Sequence, residues 1–438
     1  MSKSLGNVID PLHVISGISR EQLLTNLQGG NVGSRELKKA EKELKKEFPK
    51  GIPTCGADAL RFTLASYLQQ GRQINMDVQR VVSYRHFCNK VWNAVRYALP
   101  LLETEEDAAG NKQADLSSLR DDMTLADRWI MSRLATVVSE VNNGIAANQL
   151  ATSVAAIQRF FVQELCDVYI EFSKPVLYGN RLEEGVDFEV QHARKRSAQA
   201  TLHRCLDYSM RLLHPFTPFV TEELWQRIRD ADPLTTASNK HETSILCSEY
   251  PEETHMHSWI DTNAEERMAF VINVIHGIRS LRHTVKVLAP NAAPAGDNEL
   301  PTIRIVCASN TVYSELKDAQ RDLETQCRVN VDVALDVDGS SASSKHVLTH
   351  SVSDSCRVPD DAETTQRVAS EIARLEKRAS KSAAAAEALI RRQQGPHYAS
   401  KVPESVQAQD AHRLTQLQTD THAAEKSLAA LRELQQLY

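Results

Sequence analysis

From about residue 80 to residue 230, apolar side chains return every three or four positions, and that repetition leaves few architectures open. Phe87, Val91, Ala94 and Ala98 fall on one helical face, as do Ile130, Leu134, Val137 and Val141. Phe161, Leu165, Val168 and Phe172 make a third stripe, and Leu202, Leu206, Met210 and Leu213 a fourth. One helix cannot bury such a stripe alone. Several of them, joined by polar or Pro-containing loops, predict an antiparallel bundle. In HPFTPFVTEELW (214–225), Thr217 is expected as an N-cap and Pro218 as the first helical residue. The chain is expected to be mainly α.

The flanks read differently. SRELKKAEKELKKEFPK (34–50) predicts a charged helix closed by Pro49, either a solvated face or a contact for an RNA backbone. GADALRFTLAS (56–66) starts another helix, with Asp58 near its positive end and Leu60 and Leu64 on one face. Beyond residue 262, Met268, Val271, Ile275 and Ile278 mark a helix after the expected cap Asn263. TIRIVCAS (302–309) and VNVDVALDV (329–337) read as strands around a helical SELKDAQRDLE, and DGSSASSKH (338–346) as a linker. In the tail, Val368, Ile372, Leu375, Ala379, Ser382, Ala386 and Leu389 step as a heptad seam. After the break GPHYASKVPE (395–404), Leu414, Leu417, Thr421, Ala424, Leu428 and Leu431 resume it, which predicts an antiparallel coiled-coil hairpin. The expected segments are thus 1–78, a loop and connecting segment; 79–260, the bundle; 261–345, a small α/β module; and 362–438, the arm.

Totals narrow the function classes. A net charge of -6 excludes a uniformly basic nucleic-acid binder, so such a role must rest on local patches. The eight cysteines include no C-x-x-C pair, which argues for reduced thiols in the cytoplasm and against a disulfide framework. No apolar run approaches the ~20 residues of a membrane span, so no membrane partner is expected.

Two stretches could carry chemistry. The opening MSKSLGNVIDP places Lys3 between Ser2 and Ser4, a loop able to follow developing charge on a phosphate. In VSYRHFCNKVWNAVRY (82–97), Arg85, Asn89, Asn93 and Arg96 share a face opposite the apolar stripe, with Lys90, Trp92 and Tyr97 beside them. Amides bind base edges, Arg neutralises phosphate and an aromatic can stack on an unpaired base. The same residues read equally as a wet face with Trp92 in the core. Asp58 and Arg61 suit a structural pair. His346 and His350, with Cys356 further on, have a metal-like spacing but no fourth ligand, so no metal is expected. The first tail arm is richer in basic than acidic residues, which suits a nucleic-acid backbone.

Together these stretches resemble the class I aminoacyl-tRNA synthetases, and within them the C-terminal half of the valyl-tRNA synthetases. MSKSLGNVIDP is similar to the KMSKS signature without its first Lys. GADALRFTLAS, QGRQINMD, YRHFCNKVWNAVRY, DRWIMSRL, CDVYIEFSKP and HPFTPFVTEELWQ follow in the family's order, and EIARLEKR and KVPESV are similar to its terminal coiled coil. The resemblance implies an anticodon-binding helical bundle and an ATP-dependent ligase that joins valine to tRNA(Val) through valyl-adenylate. It implies that Lys3, with Ser2 and Ser4, meets the phosphates of ATP and its Mg2+ in the full enzyme. It further implies that Gln79, Arg80, Arg85, Asn89, Lys90, Asn93, Arg96 and Tyr97 meet the anticodon, with Tyr97 stacking on a base. Lys377, Arg378, Lys381, Arg391 and Arg392 would meet the outer corner of the tRNA. A Rossmann catalytic domain with a His-x-Gly-His signature is expected elsewhere; none of the 15 histidines supplies it, so the chain by itself is expected not to aminoacylate. Association with other translation factors is compatible with this reading. A stand-alone tRNA-binding or scaffold protein derived from a synthetase, and the corresponding half of an isoleucyl enzyme, stay open as alternatives.

Overall fold

The stripes become helices that bury them against one another. The computed structural model describes residues 9–29, 34–68, 76–102, 116–178, 188–231, 243–288, 300, 302–307, 309–335 and 362–394, and in the last arm 407, 410–411, 413–422, 424–425 and 428. The described chain is mainly α-helical. It divides into two compact units, 1–270 and 271–438, and the expected segments are finer than this division.

The first unit opens with α1 (Pro11–Ser16), α2 (Arg20–Gln28), α3 (Ser34–Glu47) and α4 (Ala57–Tyr67). Asp10 accepts from the Leu12 amide at 2.8 Å and Pro11 occupies the first turn, which together start the helix. Ser19 and Gln22 form a capping box at α2. An isolated antiparallel bridge joins Ile18 to Ile52, and the Cys55 and Gly56 amides bond the Val14 and Ile15 carbonyls, each at 3.1 Å. These bonds fasten α1 to the entry of α4. Leu60 is buried as expected, but Leu64 is 43% exposed. The face that α4 turns to its neighbours runs through Ala59, Phe62 and Thr63, and this arc reaches Leu60 but stops short of Leu64.

The bundle follows: α5 (Val78–Leu102), a 3-10 turn (Leu116–Asp122), α6 (Leu125–Ala146), α7 (Leu150–Arg159), a π-helix (Phe160–Tyr169), α8 (Ile170–Tyr178), α9 (Phe188–Leu213), α10 (Pro218–Asp230) and the short α11 (Glu253–Met256). Phe62 lies at its centre, stacked on Phe87 at 5.1 Å and met edge-on by Tyr84 at 5.0 Å. Full burial of such a side chain contributes roughly 1.5–3 kcal/mol. The stripes on α5, α6 and α9 are buried at every expected position. The third is not: Val168 is half-buried, and Tyr169 takes the core position. The wider i→i+5 winding of the π-helix carries the buried face from Phe161 through Leu165 to Tyr169. Tyr169 then donates to the fully buried Asp127 at 2.6 Å, while Thr124 and Asp127 close a capping box on α6.

Two expected caps are corrected. Thr217 makes no side-chain cap on α10; its hydroxyl turns back to Leu213, and Asp58 of α4 accepts from the Val220 amide at 2.7 Å and the Phe219 amide at 3.3 Å instead. Arg61, one turn along, donates to the Pro215 and Phe216 carbonyls. Asp58 and Arg61 therefore both hold the start of α10. Likewise Asn263 is exposed, and Asp261 accepts from the Ala264 amide at 2.9 Å at the head of α12 (Thr262–Leu288).

In the second unit, β1 (Thr302–Cys307) and β2 (Asn330–Leu335) pair in parallel, Thr302 opposite Asn330, through the crossover helix α13 (Asn310–Cys327). Val329, Val331 and Val333 are buried and Leu335 half-buried; Val337 lies outside the described residues. The arm begins with α14 (Ala362–Gln393), and residues 413–422 form its helical return. Ile372 and Ala379 share a core with Ala424 and Leu428, while Arg392 pairs with Asp410 at 3.4 Å. Numbers rise along one strand of the seam as they fall along the other, so the arm is antiparallel. The break at 395–404, and His346, His350 and Cys356, lie outside the described residues. Among the described residues no three His, Cys, Asp or Glu side chains converge to hold a metal ion.

Candidate nucleic-acid interface

α5 is the element that most clearly presents a working face. Asp77 receives the Gln79 amide at 2.8 Å, and its own amide is held by the Tyr67 hydroxyl, which fixes the helix start. Val78, Val81, Tyr84, Phe87, Val91, Val95, Ala98 and Leu102 face the core. The opposite side is a row of exposed residues: Gln79, Ser83, His86, Asn89, Asn93 and Arg96. At 1.5 Å per residue the row runs about 25 Å. It offers amides, a hydroxyl and an imidazole with one guanidinium, a set suited to base edges more than to phosphates. Ser83 and His86 escaped the sequence reading, although the steps of three or four that connect Gln79 to Arg96 pass through both.

Other expected members stand on the flanks with intramolecular partners. The Arg80 guanidinium lies over the Tyr67 ring at 4.4 Å, with Tyr84 at 6.0 Å. Arg85 donates to the Thr54 carbonyl at 2.8 Å. Lys90 pairs with Asp167 of the π-helix at 2.8 Å across an exposed surface. Tyr97 is half-buried, its ring faced by Lys174 at 5.7 Å and by Tyr178 at 6.5 Å; burial, above all, raises the pKa of its phenol. Trp92, half-buried, carries Arg227 over its ring at 5.3 Å. The structure therefore gathers Gln79, Asn89, Asn93 and Arg96 on one open row and sets Arg80, Arg85, Lys90 and Tyr97 along its edges.

The remaining candidates are separate. Ser2, Lys3 and Ser4 lie outside the described residues. In the second unit, Lys377, Arg378 and Lys381 are exposed on α14, and Arg391 and Arg392 are paired with Glu387 and Asp410. Nucleophilic chemistry finds no support among the described thiols whose pKa moves: burial pushes Cys88 and Cys166 up to about 12 and Cys205 higher still.

Residues 127–295 match a family described as the anticodon-binding domain of tRNA ligase, and residues 1–77 match the class I tRNA synthetases (I, L, M and V). The valine--tRNA ligase of Mus musculus is 35% identical over 441 aligned residues, covering 99% of this chain. The chain belongs to the valyl-tRNA synthetase family. Among its valyl-tRNA synthetase relatives, that of Schizosaccharomyces pombe is 41% identical over 283 residues, 64% of this chain and 26% of its own length. One named valine--tRNA ligase, mitochondrial 1, from Arabidopsis thaliana, is 32% identical over 441 residues, 98% of this chain and 36% of its own. The chain spans about a third of the length of these relatives, 32% in the mouse protein. The row on α5 falls between the two family matches and is reached by the alignments that run the whole chain.

Proposed function

We propose that this chain is the tRNA-reading part of a valine--tRNA ligase, and that the exposed row of α5 meets the anticodon of tRNA(Val). The observation that carries the reading is the division of α5 into an aromatic-backed core face and an open face of amides, imidazole and guanidinium. Gln79, Asn89, Asn93 and Arg96, with Ser83 and His86, take the base edges. Arg80, Arg85 and Lys90 set the potential along the flanks, and Tyr97 closes the row as the stacking surface. Lys377, Arg378, Lys381, Arg391 and Arg392 contribute backbone contacts from the arm. The enzyme to which this part belongs would use ATP with its Mg2+, and valine, as substrates; Lys3, Ser2 and Ser4 would follow the nucleotide phosphates. A reducing compartment, the cytoplasm first, suits the free cysteines among the described residues.

The test measures binding of the whole chain to a tRNA(Val) transcript and to the same transcript with its anticodon altered. Cognate preference is expected, and Asn89→Ala with Asn93→Ala is expected to erase roughly 1–3 kcal/mol of it. Equal affinity for both transcripts in the parent chain would remove the anticodon from the proposal. We also propose that adenylate formation draws on parts of the relatives that this sequence does not span. Valine-dependent exchange of pyrophosphate into ATP by these 438 residues is expected at background, and a clear rate above it would refute that part.

A further inference from the structure

Helix α3 carries a feature that the anticodon reading does not use. It packs on α2, and its buried side carries Ala40, 8% exposed, with Leu37 and Leu44 half-buried and Phe48, just past the helix, 8% exposed. Its outer side presents Lys38, Lys42, Lys46 and, just past the helix, Lys50, all exposed and each four residues from the next; Lys45 is exposed beside them. Like charges at this spacing face one another and repel, so the row weakens the helix that bears it. No carboxylate lies four residues from any of these four lysines, and Glu41, three from Lys38, is half-buried and accepts from Gln28 of α2 at 3.0 Å. Glu47 is exposed next to Lys46, and Glu21 is paired with Arg20 at 3.4 Å. Among the described residues none of the four lysines has an ion-pair partner.

The end of the row is fixed in place. Gly51 has a φ of 84°, and a Cβ there would stand 2.3 Å from the Ile18 carbonyl oxygen and 2.8 Å from the Arg20 amide, so only glycine lets the two strands approach. That approach brings the Arg20 guanidinium within 3.5 Å of the Pro49 carbonyl, beside Lys50. Thr54, which follows, holds Arg85 of α5 through its carbonyl. The segment that carries Lys50 thus runs on to Thr54, which touches the flank of the α5 row through Arg85.

We propose that α3 is a second, sequence-blind RNA contact, in which Lys38, Lys42, Lys46 and Lys50, continued by Arg20, bind the sugar–phosphate backbone of the same tRNA. A polyanion converts a self-repelling row into a favourable one, and compact ammonium groups suit phosphates without reading bases. The inference rests on the tRNA-binding reading above.

The experiment uses the full chain, the two transcripts and a range of salt concentrations. Changing Lys38, Lys42, Lys46 and Lys50 together to Gln is expected to weaken binding of both transcripts alike by tenfold or more. The slope of log K against log salt should become shallower by about 3–3.5, since each of the four lost phosphate contacts removes about 0.7–0.9. Cognate preference should survive, and changing the four to Arg should restore affinity. Far-UV circular dichroism checks the fold, and Lys42→Gln with Lys46→Gln gives a milder version with a proportionate change in slope. If the parent chain binds tRNA and the Gln variant binds with the same affinity and slope, the row is a solvated face and the inference is overturned. If the parent binds no tRNA at any salt, the anticodon reading falls and takes this one with it.

Discussion

His214, just past the end of α9, places its Nδ1 2.8 Å from the Thr221 hydroxyl of α10. Burial lowers its pKa below the ordinary histidine value, and Glu222 and Asp58 offset this only in part. The folded state therefore prefers the neutral ring, while the unfolded chain takes up a proton near pH 6.5. Stability from this residue is complete above that value and is lost as pH falls below it towards the folded pKa. Burial raises the pKa of Asp58 above the ordinary aspartate value, against the Val220 and Phe219 amides that lower it, so its contribution has the opposite sign and weakens as pH rises. Melting temperature is expected to drop between about pH 7.5 and pH 5.5, and His214→Gln should flatten that dependence. An identical pH profile in the variant would rule the histidine out. At this scale the sequence was a partial guide. It marked Asn89, Asn93 and Arg96 as outward-facing from their spacing alone. It could not show that Arg85 spends its fork on Thr54, or that Lys90 meets Asp167, because those partners are remote in the chain. The cap on α10 was missed for the same reason: a Thr before a Pro is a good local signal, and a carboxylate 162 residues away overrode it.

Between elements, a charged constellation joins α6, the end of α7, the π-helix and α12. Arg133 bonds Glu164 at 3.1 Å and Glu265 at 3.2 Å, and Arg159 reaches Glu140 at 2.6 Å. With 22% and 14% of their side chains exposed, Arg133 and Glu164 are largely out of water. Removing the cation leaves Glu265 without a guanidinium and Glu164 with only Arg159, at 3.6 Å. Arg133→Ala is expected to cost about 2–3 kcal/mol in denaturant melts, somewhat below the ~3–5 for breaking a fully buried pair. The double change Arg133→Met with Glu164→Leu should recover much of that loss; a double variant no more stable than the single one would place the cost in packing instead. Helix periodicity made α5, α6 and α9 readable because each keeps one winding from end to end. It failed at Val168 because the chain changes from α to π winding after Arg159, and nothing in FFVQELCDVY announces the wider turn. Parallel pairing of β1 and β2 was hidden for a comparable reason: alternating valines identify a strand but not the direction of its neighbour.

The two units differ in what holds them. The first is centred on large buried rings, among them Phe62, Phe160, Phe161, Tyr169 and Trp225. The arm in the second is sealed by Ile372, Ala379, Ala424 and Leu428, so its seam brings the helices close while removing little apolar area from water. Cooperative melting of a whole chain requires its parts to depend on one another, and two cores of such unequal depth need not. Calorimetry is expected to show at least two transitions, the lower belonging to the arm. Leu428→Ser should move only the lower one. Phe62→Ala should move the upper one, by roughly 3–5 kcal/mol of destabilisation. A single transition shifted by both substitutions would mean that the arm and the bundle fold as one, and the unequal cores would then have no thermal consequence.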